Sequence, residues 1–303
     1  MHDISTLSIG GPRSPLPSSF AYTDIPYAHI PTPERPVRAC ARSIVTGERI
    51  AWQQHPWAQL AYATRGVLRM SAGGCSWIVP PSRAVWIPAH LAHEIVAIES
   101  ACLRVLHIDA SIVPHALARC RVVEVSGLMR EAIAASDGVS CTPARERLLG
   151  ELTLDELARA APLPLAVPLP HDPRLRALCE ALLGAPANAG SLGEWAAQSG
   201  ISARTVSRLF RAELGMSFSQ WRRQAGLARA IPLLNQKRSL AQVARELGYR
   251  SQSAFTAMFG RAFGESPRAF MSRSGAFDDD ATGQRRARAP RIERPRAAAQ
   301  REA

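Results

Sequence analysis

Arg204, Thr205, Ser207, Arg208 and Arg211 follow one another at helical intervals and combine guanidinium with hydroxyl groups. A guanidinium neutralises a phosphate or bridges guanine O6 and N7, and a hydroxyl bonds to backbone or base, so this set is suited to nucleic-acid recognition. Gln252, Ser253, Thr256 and Arg261 form a second set that is less basic but can still hydrogen-bond. A third set, Gln53, His55, Gln59 and His93, mixes imidazoles with amides among Trp57, Tyr62, Trp77 and Trp86. That mixture suits a mostly apolar small-molecule pocket with a few polar anchors, or a weak transition-metal site.

The first two sets lie in related segments, SLGEWAAQSGISARTVSRLFRAELGMSF from Ser191 and SLAQVARELGYRSQSAFTAMFGRAFGESP from Ser239. Leu192 aligns with Leu240, Ala196 with Ala244 and Gly200 with Gly248. After one extra residue in the second copy, Ser202 pairs with Ser251, Val206 with Phe255, Phe210 with Phe259 and Gly215 with Gly264. Leu192, Trp195 and Ala196 give one apolar stripe, Gly200 permits a turn, and Val206, Leu209 and Phe210 give a second stripe. The second copy repeats this with Leu240, Val243, Ala244, Leu247, Phe255, Met258 and Phe259. Each copy therefore predicts a helix-turn-helix whose second helix can enter a major groove.

From Ser217 to Asn235 the chain reads as a connecting helix, and its roughly 19 residues would span about 28 Å. A turn of B-DNA is about 34 Å, so the two second helices are expected to reach successive major grooves. Pro232 is expected to kink or end that helix near Arg229. Charge is distributed in the same sense. Residues 191–303 hold 20 Lys+Arg against 9 Asp+Glu, whereas residues 1–190 hold 17 against 16. An acidic partner, double-stranded DNA, is expected for the C-terminal third, with salt-sensitive affinity.

The duplicated helical segment resembles the AraC/XylS family of bacterial transcription regulators from about Pro173 to Phe270. The match is carried by the run from Arg204 to Phe210, by Gly215, Met216, Ser217 and Trp221, by the run from Val243 to Phe259, and by Pro267. The resemblance implies that Arg204, Ser207 and Arg208 in the first unit, and Gln252, Ser253 and Thr256 in the second, face bases or phosphates. Where several members carry an arginine in the second unit this chain has Ala257, so the first unit is expected to dominate specificity.

Between about Val37 and Asp109 the sequence changes to short β-type runs separated by Gly, Pro and Ser, which predicts a small barrel or jelly roll. There the order Gln53, His55, Gln59, Gly66, Pro88, His90 and His93 resembles the two cupin motifs. Gln53, His55 and Gln59 share strand parity and are expected to point to one side, the barrel interior. Metal-binding cupins carry His, His, Glu and a later His at the matching positions, whereas Gln53 and Gln59 stand here beside His55 and His93. The histidines read either as ligands or as hydrogen-bonded pocket groups. No metal or other cofactor is expected, and His55, Trp57, Gln59, Tyr62, Trp86 and His93 are expected to form an effector pocket. The resemblance implies that effector binding there changes how the helical domain engages DNA.

The expected fold class is α+β multidomain, with a cupin-like β-barrel followed by an all-α domain. Its expected map is a flexible segment over 1–37, a cupin-like effector domain with following helices over 38–160, and a proline-rich linker over 161–173. A DNA-binding domain follows over 174–273, with helix-turn-helix units at 191–212 and 239–262, and then a disordered basic tail over 274–303. That tail reads as a non-specific DNA arm or as a solubilising extension. Six cysteines without CxxC spacing indicate reduced, mostly buried thiols. With no signal-peptide pattern and no apolar run of 18 residues, a cytoplasmic protein is expected, with no membrane partner. RNA polymerase and a second copy of the chain are further candidate partners. No GxSxG, HExxH or phosphate-loop motif occurs, so the expectation is a regulator rather than an enzyme. The alternative is a metal-dependent cupin enzyme carrying a DNA-binding domain, with His55 and His93 as ligands.

Overall fold

The computed structural model describes residues 27–136, 141–184, 192–198, 200 and 202–275. Among the described residues nine strands come before the first α-helix: β1 (Val37–Ile44), β2 (Arg49–Gln53), β3 (Ala58–Arg65), β4 (Leu68–Ala72), β5 (Cys75–Val79), β6 (Arg83–Ile87), β7 (His93–Ala97), β8 (Ala101–Ile108) and β9 (Arg121–Glu124). Two helices follow, α1 (Gly127–Ser136) and α2 (Pro143–Arg159), and then a short strand β10 (Ala166–Pro168). The strands form two antiparallel five-stranded sheets, ordered β1-β8-β3-β6-β9 and β10-β5-β4-β7-β2. Gly66 turns the chain from β3 into β4 with φ of 77°. A Cβ at Gly66 would lie 2.2 Å from the Ser100 carbonyl oxygen, so only glycine fits.

The first sheet is buried on both faces, which is why β3 and β6 lack polar alternation. Ala61, Ala63, Val85 and Ile87 face the second sheet, while Leu60, Tyr62, Trp86 and Leu106 pack outward under Met129 and Ile133 of α1 and Leu154 and Leu157 of α2. Burying both faces in this way requires a third layer, and the helix pair supplies it. Thr142 caps α2 and Pro143 occupies its first turn. Glu146 in α2 accepts from Arg35 Nε at 2.8 Å and from Arg38 at 3.2 Å.

The expectations for the chain's edges need correction. Of the segment 1–37 expected to be flexible, residues 1–26 lie outside the described residues; from Tyr27 on it is held, because Tyr27–His29 forms a 3-10 turn and Arg35 bonds to Glu146. The prolines of 161–173 surround a sheet strand, because β10 pairs with β5 in the register Ala166↔Trp77, Val167↔Ser76 and Pro168↔Cys75. The basic tail lies outside the described residues except for its first two residues, which complete the last helix. None of the six cysteines is in a disulfide; Cys179 is buried, Cys102 exposed and the other four half-buried, fewer buried than expected.

The helical region comprises α3 (Pro173–Gly184), α4 (Leu192–Gln198), α5 (Ala203–Leu214), α6 (Phe218–Asn235), α7 (Leu240–Glu246), α8 (Gln252–Phe263) and α9 (Pro267–Gly275). Serine caps start most of them. Ser202 Oγ accepts from Thr205 N, Ser251 Oγ accepts from Ala254 N, and Ser217 and Ser239 form capping boxes with Gln220 and Gln242. Gly215 and Gly264 close α5 and α8 in the left-handed conformation. Phe210, Phe218 and Trp221 pack as one aromatic group, and Phe255, Phe259, Phe263 and Phe270 as another. Contrary to expectation, α6 runs unbroken through Pro232.

One continuous buried cluster joins sheet and helices. Trp221 Nε1–H donates to the Pro168 carbonyl at 2.7 Å. Glu213 accepts from the backbone N–H groups of His171 and Asp172, and Glu99 accepts from Asn235 and Gln236. The Arg83 guanidinium carbon lies 4.5 Å from the Phe270 ring centroid.

Candidate effector site and nucleic-acid interface

Between the two sheets the structure gathers a polar cluster. Gln53 ends β2 beside His93 at the start of β7, and Gln59 on β3 pairs with His107 on β8. His55 stands in the turn between β2 and β3, so Gln53, His55 and Gln59 converge from two strands and a turn rather than from one strand. Trp57 stacks on His55 with ring centroids 4.8 Å apart and planes within 5°. The His55 ring lies 5.1 Å from that of His93 and 6.2 Å from that of His107. Gln53, Gln59, all three histidines and Trp57 are buried.

His107 is the residue that the sequence reading lacked. In the run CLRVLHI it shares strand parity with the inward-facing Leu103 and Val105, and that parity was the available signal. Tyr62 and Trp86, expected in the pocket, are elsewhere. Both occupy the opposite parity, on the outer face of the first sheet beneath α1 and α2, and the Trp86 indole donates to the Leu117 carbonyl at 2.7 Å. They belong to the helix-covered core. Trp77 faces inward in line with Met70 and Ala166.

Each imidazole commits Nδ1 to a backbone carbonyl: His55 to Trp57 at 2.7 Å, His93 to Leu91 at 2.9 Å and His107 to His29 at 2.8 Å. Carbonyls only accept, so Nδ1 carries the proton and Nε2 is the lone-pair nitrogen of a neutral ring. Burial favours that neutral form. It lowers the pKa of His55 and pushes those of His93 and His107 down to about 4. The amide Nε2 of Gln53 lies 3.2 Å from His93 Nε2 and donates to it. Gln59 Oε1 lies 3.0 Å from His55 Nε2. A neutral His55 requires that amide to be turned by 180°, an assignment set by the hydrogen-bond network.

A metal centre does not fit these residues. Glutamines occupy the Nε2 faces of His55 and His93, and among the described residues no carboxylate acts on the three histidines. Among the described residues no three His, Cys, Asp or Glu side chains are grouped to hold a metal ion. The arrangement instead offers buried, uncharged donors and acceptors beside a tryptophan face.

On α5, Arg204, Ser207, Arg208 and Arg211 are exposed and fall within an arc of about 100°, while Val206, Phe210 and Leu214 are buried behind them. Thr205 lies at the edge of the arc, half-buried, with its hydroxyl 2.9 Å from Ser202 Oγ. On α8, Gln252 and Ser253 are exposed and Thr256 is half-buried on one side, while Arg261 lies exposed on another. The matched caps, Ser202 and Ser251, fix the register between the units. Ala257 thereby stands where the first unit has Arg208, and Gly260 where it has Arg211. Of the first helix of the first unit, Ser191 and the side chains of Leu192 and Trp195 lie outside the described residues, and Ala196 is buried.

Comparison with known proteins agrees with this architecture. A family model described as the AraC-like ligand binding domain matches residues 35–218, and a helix-turn-helix domain model matches residues 195–273. The HTH-type transcriptional regulator NimR of Escherichia coli is 33% identical over 223 residues, covering 73% of this chain and 81% of the relative. The HTH-type transcriptional regulator RipA of Corynebacterium glutamicum is 38% identical over 103 residues, 34% of this chain and 31% of its own. The solved structure of ToxT from Vibrio cholerae with a bound unsaturated fatty acid covers 78% of this chain and 94% of its own, at 10% identity and a TM-score of 0.33. The chain belongs to the AraC family of helix-turn-helix transcription regulators, with an AraC-like ligand-binding domain ahead of its DNA-binding helices.

Proposed function

We propose that this regulator reads a two-element DNA site with α5 and α8 in successive major grooves, that α5 carries most of the specificity, and that a small molecule seated among His55, Trp57, Gln59, His93 and His107 controls the engagement. The observation that supports this reading best is the exposed arc of Arg204, Ser207, Arg208 and Arg211 on a capped helix, repeated in α8 without its charges. The reading is of a non-enzymatic regulator acting in the cytoplasm, where RNA polymerase is a further partner. The glutamine-capped histidines count against the alternative of a metal-dependent cupin enzyme.

Fragments selected from random double-stranded DNA test the reading. Arg208→Ala is expected to lose about 1–3 kcal/mol on the selected site and much less on unrelated DNA. An equal loss on both would make Arg208 a phosphate contact and remove it from the specificity set.

A homodimer through the helices behind the barrel is part of the proposal. Leu128 on α1 and Leu148 on α2 are large apolar side chains left 52% and 66% exposed. Leu148→Glu is expected to shift the sedimentation coefficient from dimer to monomer. A wild-type chain that sediments as a monomer at micromolar concentration would remove this part of the reading.

A further inference from the structure

α6 joins the two reading units, so its shape sets the distance and angle between them. Trp221, Ala225, Ala228, Pro232 and Asn235 follow the intervals 4, 3, 4 and 3, which places them along one stripe of the helix. Both ends of that stripe touch the barrel: Trp221 Nε1–H donates to the Pro168 carbonyl at 2.7 Å, and Asn235 donates to Glu99. Gln236 adds a second bond to Glu99 at 3.0 Å. Between these ends lies Pro232, which has no N–H for the Ala228 carbonyl and whose ring crowds that carbonyl. Such crowding opens a helix on the proline side, here the side facing the barrel, and bends the far end away from it. The segment beyond Pro232 would carry α7, α8 and α9 with it. The bonds to Glu99 begin three residues past the proline and oppose that swing.

We infer that Glu99, a residue of the sensor barrel, is a specificity-determining residue for DNA: by holding Asn235 and Gln236 it restrains α6 from bending further at Pro232 and thereby fixes the spacing of the two DNA elements the protein accepts. Glu99 follows β7, the strand that begins with His93, and Pro168 lies on β10 of the same sheet. Both supports of α6 therefore hang from the sheet that carries His93 and Gln53. The inference rests on the reading of two successive grooves.

The test uses the full-length chain. A binding sequence is selected from random double-stranded DNA, and Kd is measured for that site and for versions with one base pair inserted or removed between its elements. Wild type is expected to lose about tenfold on the altered spacings, since one base pair rotates the second groove by roughly a tenth of a turn. Glu99→Ala is expected to bind the selected site within about threefold of wild type and to lose at least threefold less on altered spacings. Adding Pro232→Ala, which restores the missing N–H, is expected to return the wild-type penalty. A spacing penalty in Glu99→Ala equal to wild type, with unchanged circular dichroism, would overturn the inference while leaving two-groove reading intact. Failure of Pro232→Ala to restore discrimination would also overturn it. A selected motif with a single element would overturn the two-groove reading and this inference together.

Discussion

Lowering the pH from 7 to 4 is expected to destabilise the barrel by several kcal/mol through His93 and His107 alone. Both are buried, with no carboxylate partner among the described residues, and their pKa values fall to about 4, against about 6.5 for an exposed imidazole. In that window the unfolded chain binds protons that the folded chain refuses, so the slope of stability against pH is positive. The stabilising contribution is complete above the unfolded value and is lost as pH falls through the folded one. Each histidine accounts for about 3 kcal/mol across the full window. Urea denaturation at pH 7 and pH 5, followed by tryptophan fluorescence, measures the effect. Carboxylates also titrate near the acid end, so the decisive quantity is the difference between wild type and His107→Gln, which keeps a hydrogen-bonding group and should remove about half of the histidine contribution. Identical pH dependence in the two proteins would mean that His107 is protonated in the fold and that the neutral description of the cluster fails.

Trp221→Ala is expected to cost about 3–5 kcal/mol of stability, the usual loss for deleting a fully buried large aromatic. The indole packs on Phe210 and Phe218 and reaches out of the helical core to the Pro168 carbonyl of β10. Trp221→Phe separates the two roles. It retains most of the packing and is expected to cost about 1–2 kcal/mol for the lost bond and the carbonyl left buried. Calorimetry should then show the single transition of wild type splitting or broadening in Trp221→Phe, because strand and helix no longer share that bond. Equal costs for the two variants would place all of the residue's worth in the hydrogen bond.

What the sequence disclosed was set by the range of the forces involved. The helix-turn-helix units were legible because caps, turn glycines and apolar stripes are local: Ser202, Gly200 and Phe210 act within a few residues of one another. The arc on α5 followed directly. The pocket was less legible because strand parity gives a side chain's face but not which face is covered by what. Tyr62 and Trp86 look like pocket aromatics until α1 and α2 are laid over the outer side of their sheet. His107 was hidden for the opposite reason, lying beyond the motif that drew attention to His55 and His93. The stretch around Ala166 reads as a linker by composition, yet an edge strand tolerates proline, and Pro168 leaves its carbonyl for Trp221. Pro232 signals a bend that local chemistry favours and that contacts from Glu99, 136 positions away from Asn235 in the chain, oppose.

The caps of α5 and α8 place three arginines of one unit against serine, alanine and glycine in the other. A protein whose halves differ in this way cannot be turned end for end on the duplex at equal free energy. On the proposed reading its site therefore has polarity, like an arrow rather than a palindrome, and the orientation of each site sets the direction in which the copy bound there presents its barrel.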